Sequence, residues 1–569
     1  MTNWLIYPPF ADPTQPYAAL PYLKGSLRAA GLDATILDMN VEAAHLILGR
    51  AHSRACSERI AERFLLLDRR KQLNRLERME YLMLADARAA ALRLLSADVP
   101  PVKTFQDPAR FYDFQCYRQA RNLAEDALIC TSAASFPYIF HFNQAAHAAV
   151  PWGTAMLESY YRDRRSPLDA FYRAQLFSGR IRRGDFVGIN VTFISQLPEA
   201  FYLARMTREM LCATFIAMGG SCLQQILAQA GEQARRWIVT IADAACLYEG
   251  EQSLPMLIAE MKDHTGQEPS DRFERLGRIP NLLIREPGSG RPHATPLHRS
   301  DLKQLPAPDY SDLDLDRYLA PAKTLLFAPT RGCYWNRCAF CDYGLSRSEC
   351  HGYREMEAGQ AAGQLVALAQ QYGVGNVYLS VDVMAPRFAV ALAEALIARG
   401  APVRWSADFR MEAYYSQERC RLLYRSGLRA VAFGVESGSD RMLQRMQKGL
   451  RTNLIRAIGA RFHQAGIATA WMTFSGHPGE ELQDALHTVG MIDQEQQTID
   501  LFILGRFGVV RFSAIVISSV VATVISRHFI GDFPAFQVPV FSLQHTHELF
   551  FCALVGLLAA GIGCAFIWT

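Results

Sequence analysis

The sequence predicts an α/β protein: a doubly wound parallel sheet with a helical insertion, then a partial barrel of six strand-helix repeats, then a short apolar tail. Three observations carry this. Short apolar runs alternate with helical stretches over residues 3–262 and again over 321–507, which is the pattern of strands buried on both faces. The 569 residues exceed what one core usually serves, so more than one domain is expected. After about residue 508 the character changes, and residues 513–526 and 549–568 carry no charge.

In the first unit, residues 3–7 read as a strand, 17–30 as a helix ending at Gly31, and 34–37 as a second strand followed by Asp38. Residues 41–183 read as an inserted helical layer, with a charged stretch from Glu58 to Arg70 and an aromatic block from Phe136 to Tyr161. Alternation resumes with a strand at 186–191, a helix at 198–211 and a strand at 214–218 that runs into Gly219, Gly220 and Ser221. A strand near 244–248 leads to Glu249, Gly250, Glu251 and a helix reaching about Met261. Ligands of such sheets sit beyond the strand ends. Glycines there let a ligand approach the backbone, and a helix N-terminus suits an anionic group. Residues 263–320, with prolines at 280, 287, 292, 296, 306 and 308, read as a linker.

The second unit opens with a strand at 325–329 that runs into TRGCYWNRCAFCDYG, residues 330–344. Cys333, Cys338 and Cys341 fall within nine residues, a grouping of soft ligands suited to an iron-sulfur cluster with one iron left open. A zinc loop is the alternative, with Cys350 or His351 as the fourth ligand. A helix at 360–372 follows, then strands at 376–381, 403–407, 430–435, 468–474 and 498–504, a partial barrel with the cysteines at a strand's carboxyl end. Polar residues at the other strand ends are Ser380, Asp382, Asp408, Arg410 and Glu412, and Arg410 could offer a bidentate fork to a carboxylate.

These motifs resemble the core of radical S-adenosylmethionine (SAM) enzymes. The resemblance implies that the three cysteines hold a four-iron four-sulfur cluster whose open iron is chelated by SAM. Four residues separate the first two cysteines where three are commoner, and the longer spacing occurs in cobalamin-binding members. Ser380 and Asp382 stand where that family carries a glycine-glycine-glutamate stretch that meets the SAM amino group. Asp408 and Arg410 are further SAM candidates. GVESGSDRMLQRMQKG resembles the ribose-contacting segment, which assigns Glu436 and Ser437, and FSGHPGE resembles the turn near the adenine, which assigns Gly476 and Pro478.

PPFADPTQPY, VTFISQLP, MGGS and YEGEQS look like a cobalamin-binding domain over residues 3–262. They imply contacts to cobalamin from Thr192, Ser195, Gln196, Gly219, Gly220, Ser221, Glu249, Gly250 and Glu251. The Asp-x-His-x-x-Gly signature is absent, so cobalamin would be held without histidine below the cobalt; a domain that binds nothing is the alternative. Together the resemblances imply C-methylation of an unactivated carbon in a peptide or natural product, with a one-electron reductant such as flavodoxin or ferredoxin as partner. Radical cyclisation or rearrangement is the competing chemistry, and no residue is assigned as catalytic.

A net charge of +4 gives no support for nucleic-acid binding. Thirteen cysteines, scattered singly outside the loop, argue against a disulfide framework and for a reducing cytosol. No signal peptide is read at the N-terminus. The tail departs from this: SAIVISSVVATVISRHFIGDFPAFQVP and ELFFCALVGLLAAGIG resemble a fragment of ClC-type chloride channels over residues 513–569, and the second apolar run is 20 residues, long enough to span a bilayer. A junction near 507–513 and a barrel cut short there are the expectation, with a membrane-attached or channel-like fusion as the other class of function.

Overall fold

The computed structural model describes residues 1–141, 144–148, 150, 153–163, 166–212, 214–263, 269–341, 352–495, 499 and 501–506. Cys350, His351 and the apolar tail from residue 508 lie outside the described residues. Among the described residues no helix is long and apolar enough to cross a membrane.

The first sheet is built from β1 (Asn3–Tyr7), β2 (Thr35–Asp38), β5 (Phe186–Asn190), β6 (Phe215–Gly219), β7 (Ala244–Cys246), β8 (Leu282–Arg285) and β9 (Pro292–Ala294), where β3 (Tyr138–His141) and β4 (Gln144–His147) form a separate hairpin. Its order is β2-β1-β5-β6-β7-β8-β9. The strands from β2 to β7 pair in parallel, and every residue of β5 is buried, as expected of a strand covered on both faces. Two expectations are corrected here. The sheet is mixed, because β8 and β9 add antiparallel to its edge with Ala244 opposite Ile284. Residues 269–294 therefore continue the first unit with a helix, Pro269–Leu276, and a hairpin; prolines at the turns outweighed the short apolar run Leu282–Ile284 in the linker reading. The remaining strap is tied down on both sides. Asp309 and Asp312 pair with Arg28 and Lys24 of the helix Ala19–Ala29, and the fully buried Tyr310 donates to the Leu326 carbonyl.

The insertion is a helical layer on the first sheet. Helices Arg50–Asp68, Arg75–Ser96 and Phe114–Ala134 pack through small buried residues, Ala87, Ala90, Ala91, Ala124 and Ala127. Asn74 and Glu77 form a capping box that starts the second of these helices. The aromatic block is not wholly helical. After Pro137 the chain turns into the β3–β4 hairpin, whose Phe140 stacks on Phe10 at 4.6 Å and whose Tyr138 packs on Tyr160 at 4.2 Å. The wholly buried Glu199, on helix Leu197–Met210, accepts from Tyr172 Oη at 2.6 Å, from Ser166 Oγ at 2.8 Å and from Tyr160 Oη, which pins the layer to the sheet.

The second sheet has six parallel strands in the order β10 (Thr324–Phe327), β13 (Asn376–Met384), β14 (Arg404–Phe409), β15 (Leu428–Glu436), β16 (Ala468–Ser475) and β17 (Leu501–Arg506). The short pair β11 (Thr330–Arg331) and β12 (Arg354–Glu355) lies between the first two in sequence. Burial alternates along the strands. Val377, Leu379, Trp405, Phe409, Phe433 and Trp471 join the core with the helix residues Leu365, Leu392, Leu423 and Ile458. Tyr378, Ser380, Asp382, Ser406, Asp408 and Glu436 lie on the opposite face and keep some exposure.

Candidate active site

The cysteine loop leaves β11 and returns through β12, which pair antiparallel with Arg331 opposite Arg354. Its position is fixed from four strands of the second sheet. From β13, Asp382 Oδ2 accepts from Gly332 N at 2.8 Å. Beyond β14, Glu412 accepts from Tyr334 Oη at 3.1 Å, and the Arg410 guanidinium lies 3.9 Å over the Trp335 ring. Past β15 and the helix Asp440–Arg445 that follows it, Trp335 Nε1 donates to Gln447 O at 2.9 Å and Ala339 N to Met446 O at 2.9 Å. At the end of β16, Phe340 meets Phe474 edge-on with centroids 5.0 Å apart. Gly449 is required beside this loop: its φ is +66°, and a Cβ there would stand 2.2 Å from Trp335 Cζ2.

None of the three cysteines is in a disulfide, and all three are partly buried. Burial raises Cys338; the charges of Lys448 and Arg410 oppose that rise, and those of Cys341 and Cys333 add to it, so the three sulfurs sense one another. Among the described residues no three His, Cys, Asp or Glu side chains are gathered closely enough to hold one metal ion. Three cysteine thiols on one loop are the donor type that iron-sulfur clusters take, so this donor set fits the cluster.

Several expected SAM contacts are already engaged with protein. Ser380 and Asp382 lie within β13 rather than after it, and Asp382 supports the loop. Arg410 is 4% exposed, with Nε on Glu412 at 2.7 Å and its face on Trp335, so its fork is turned to the protein. Ser437 is fully buried against Thr488 at 3.2 Å and receives Ser439 N at 3.1 Å; it organises the turn before helix Asp440–Arg445. Glu436 has φ +69° and pairs with Lys448 at 2.7 Å, while the Gly476 N–H is taken by Glu480 and the Pro478 carbonyl receives Arg445 Nε at 2.9 Å. Lys448, Trp335 and Phe340 were not singled out from the sequence, because nothing in it brings their partners to the loop.

A cavity of about 410 Å³ opens where the two sheets face each other. Thr192, Gly219, Gly220, Ser221, Glu249, Gly250 and Glu251 line it from the first sheet, with apolar walls from Leu5, Leu254, Leu257 and Leu282. Thr330, Arg331, Ser380 and Asp382 line it from the second. Two expected contacts are absent from its wall. Ser195 Oγ donates to Phe10 O at 2.6 Å and Gln196 Nε2 to Pro8 O at 2.6 Å, so both buried side chains fasten the loop after β1. Glu249 and Glu251 line the cavity but are ion-paired to Arg331, and Glu249 also to Arg354. Burial would raise Glu249, yet the Arg354 hydrogen bond and the charges of both arginines hold it at about 2.

The profile of the Radical SAM superfamily matches residues 327–492, from the strand before the cysteine loop to the helix before β17. Residues 327–492 are a radical SAM domain. Domains of this superfamily are enzyme domains whose cofactors are a four-iron four-sulfur cluster and SAM. Among curated proteins, an uncharacterised methyltransferase of Pyrococcus horikoshii is 24% identical over 269 residues, 47% of this chain and 54% of that one. The chain thus spans about half the length of this curated relative. Among solved structures, the radical SAM methyltransferase TsrM from Kitasatospora setae, with cobalamin and an iron-sulfur cluster bound, is similar over 89% of this chain and 72% of its own, at a TM-score of 0.50 and 14% identity. The cobalamin-dependent radical SAM enzyme OxsB with aqua-cobalamin covers 56% of this chain and 45% of its own, at a TM-score of 0.45 and 16% identity. The likeness to TsrM shows a shared fold across both units.

Within the radical SAM domain, Asp408 keeps a charge of its own. Burial raises it to about 6 from 3.8, the Tyr378 hydrogen bond lowers it and the charge of Asp382 adds to the rise. A carboxyl whose folded value exceeds its unfolded one contributes stability that is present below the unfolded value and is lost as pH rises through the folded one. Asp408→Asn is therefore expected to raise thermal stability above pH 6, by up to about 3 kcal/mol, with the two proteins converging below pH 3.8. Thermal melts across that pH range check this.

Proposed function

We propose that the chain is a cobalamin-dependent radical SAM C-methyltransferase acting on an unactivated carbon of a peptide or other natural product. The observation that supports this most is the shared cavity. Segments after β5, β6 and β7 line it from one side, and residues at the base of the cysteine loop line it from the other. A ligand held by the first unit would lie against the radical SAM domain. TsrM, a methyltransferase with cobalamin and a cluster bound, agrees with this reading.

The residues present fit the groups implied. Cys333, Cys338 and Cys341 would hold the cluster; burial raises the Cys338 thiol, and the charges of Lys448 and Arg410 only partly oppose that rise. The cavity volume suits a nucleotide-sized part of a corrinoid, and its lining includes no histidine among the described residues. When bound, cluster and SAM supply a radical able to abstract hydrogen from carbon, and methylcobalamin supplies the methyl group. The chain itself positions these groups, and Leu5, Leu254, Leu257 and Leu282 give the cavity apolar walls. A small electron-transfer protein would deliver single electrons to the cluster.

The reconstituted protein, given SAM, hydroxocobalamin, reductant and fractionated peptides and metabolites, is expected to form S-adenosylhomocysteine and 5′-deoxyadenosine in equal amounts with a methylated product. Formation of 5′-deoxyadenosine with an unmethylated, rearranged product would replace this reading with radical cyclisation or rearrangement.

A further inference from the structure

The two strands that close the cysteine loop each present an arginine to the same acidic segment of the first sheet. Arg331 on β11 pairs with Glu249 at 3.0 Å and with Glu251. Arg354, opposite it on β12, pairs with the same Glu249, with Nη1 3.1 Å from Oε2, and its Nη2 donates to Tyr248 Oη at 3.1 Å. Glu249 also accepts from Ser300 N at 2.8 Å. Side-chain exposure is 8% for Glu249, 11% for Glu251, 16% for Arg354 and 21% for Arg331, so the four charges are largely shielded from solvent and balance one another. Arg331 is followed by Gly332, held by Asp382, and then by Cys333. Tyr248, Glu249, Gly250, Glu251, Arg331 and Asp382 all line the cavity.

We propose that Arg331 and Arg354 are positioning residues that couple occupancy of the cavity to the placement of the cysteine loop. A guanidinium bonded to two carboxylates has its orientation set by both, so a ligand that moves the segment 248–251 moves the strand leading to Cys333. Asp382, on the same cavity wall, carries the next residue of that strand. Coupling between two sites is reciprocal: if an occupant alters the cluster, the cluster alters the occupant's affinity by the same factor.

This rests on the cobalamin reading, and the experiment separates the two. Hydroxocobalamin affinity is measured by titration on cluster-loaded and cluster-free full-length protein, with the Mössbauer spectrum of the oxidised cluster recorded with and without it. In the natural protein the two affinities are expected to differ by about fivefold or more, with a change in cluster quadrupole splitting on binding. In Glu251→Gln, which leaves Arg331 on Glu249 alone, both effects are expected to shrink, and in Arg331→Gln with Glu251→Gln, which strands no charge and leaves only the Arg354–Glu249 link, to fall further, while cluster content and circular dichroism stay unchanged. The double variant covers the case in which the single one misfolds. Equal affinities in the natural protein, or undiminished coupling in the folded variants, overturn the coupling alone. No binding by the natural protein overturns the cobalamin reading as well.

Discussion

Replacing Cys333, Cys338 or Cys341 with Ala, one at a time, is expected to reduce the cluster's visible absorbance and SAM cleavage to background. Each thiolate would hold its own iron, so none can substitute for another. The fold should survive, because the loop has anchors other than the sulfurs. Gly332 is held by Asp382, Trp335 by Gln447 and Arg410, and Phe340 by Phe474. Unchanged circular dichroism alongside lost iron would therefore locate the defect at the ligands. Cys350→Ala is the control. Under the cluster reading it leaves iron and cleavage intact, whereas loss of bound metal on that change would mean a four-ligand zinc loop.

The strand-helix alternation was legible because parallel strands covered on both faces must be apolar, as FVGIN in β5 is, and the cysteines were legible because ligand spacing is local. What was not legible depends on pairs distant in sequence. Glu249 and Glu251 stand where ligand contacts were expected, but Arg331 lies some eighty positions later, and only the fold brings the three together. Arg410 illustrates the same limit at short range. Its fork suited a free carboxylate, yet Glu412 two residues on and Trp335 from the loop occupy it. Ser195, Gln196 and Ser437 have the polar groups of site residues, and in the structure those groups satisfy buried backbone and side-chain partners, as buried polar atoms must. The hairpin β8–β9 was hidden by its prolines, which mark its turns rather than a structureless linker.

Gly220→Ala is expected to destabilise the first unit by about 3 kcal/mol or more and to abolish hydroxocobalamin binding, while iron content per folded chain stays normal. The glycine pair at the end of β6 suits the close approach of a ligand, and the structure supplies a stronger requirement. Gly220 has φ +106°, and a Cβ there would lie 2.4 Å from Val191 O, 2.6 Å from its C and 2.7 Å from its N. These are backbone atoms, so no side-chain rotation relieves the clash. Moving either chain strains the bonds that hold the crossing, Val191 N to Gly219 O at 2.7 Å and Cys222 N to Val191 O at 3.2 Å. Those bonds shape the strand ends beside Thr192 and Ser221 that line the cavity. Ser221→Ala serves as the comparison, since its exposed hydroxyl makes one 3.3 Å bond to Thr192 O and its loss should leave stability nearly unchanged. Chemical denaturation followed by far-ultraviolet circular dichroism for the whole chain and by cluster absorbance for the second unit distinguishes local damage from global unfolding. A Gly220→Ala protein as stable as the natural one would show that the crossing of Val191 and Gly220 is looser than this geometry requires.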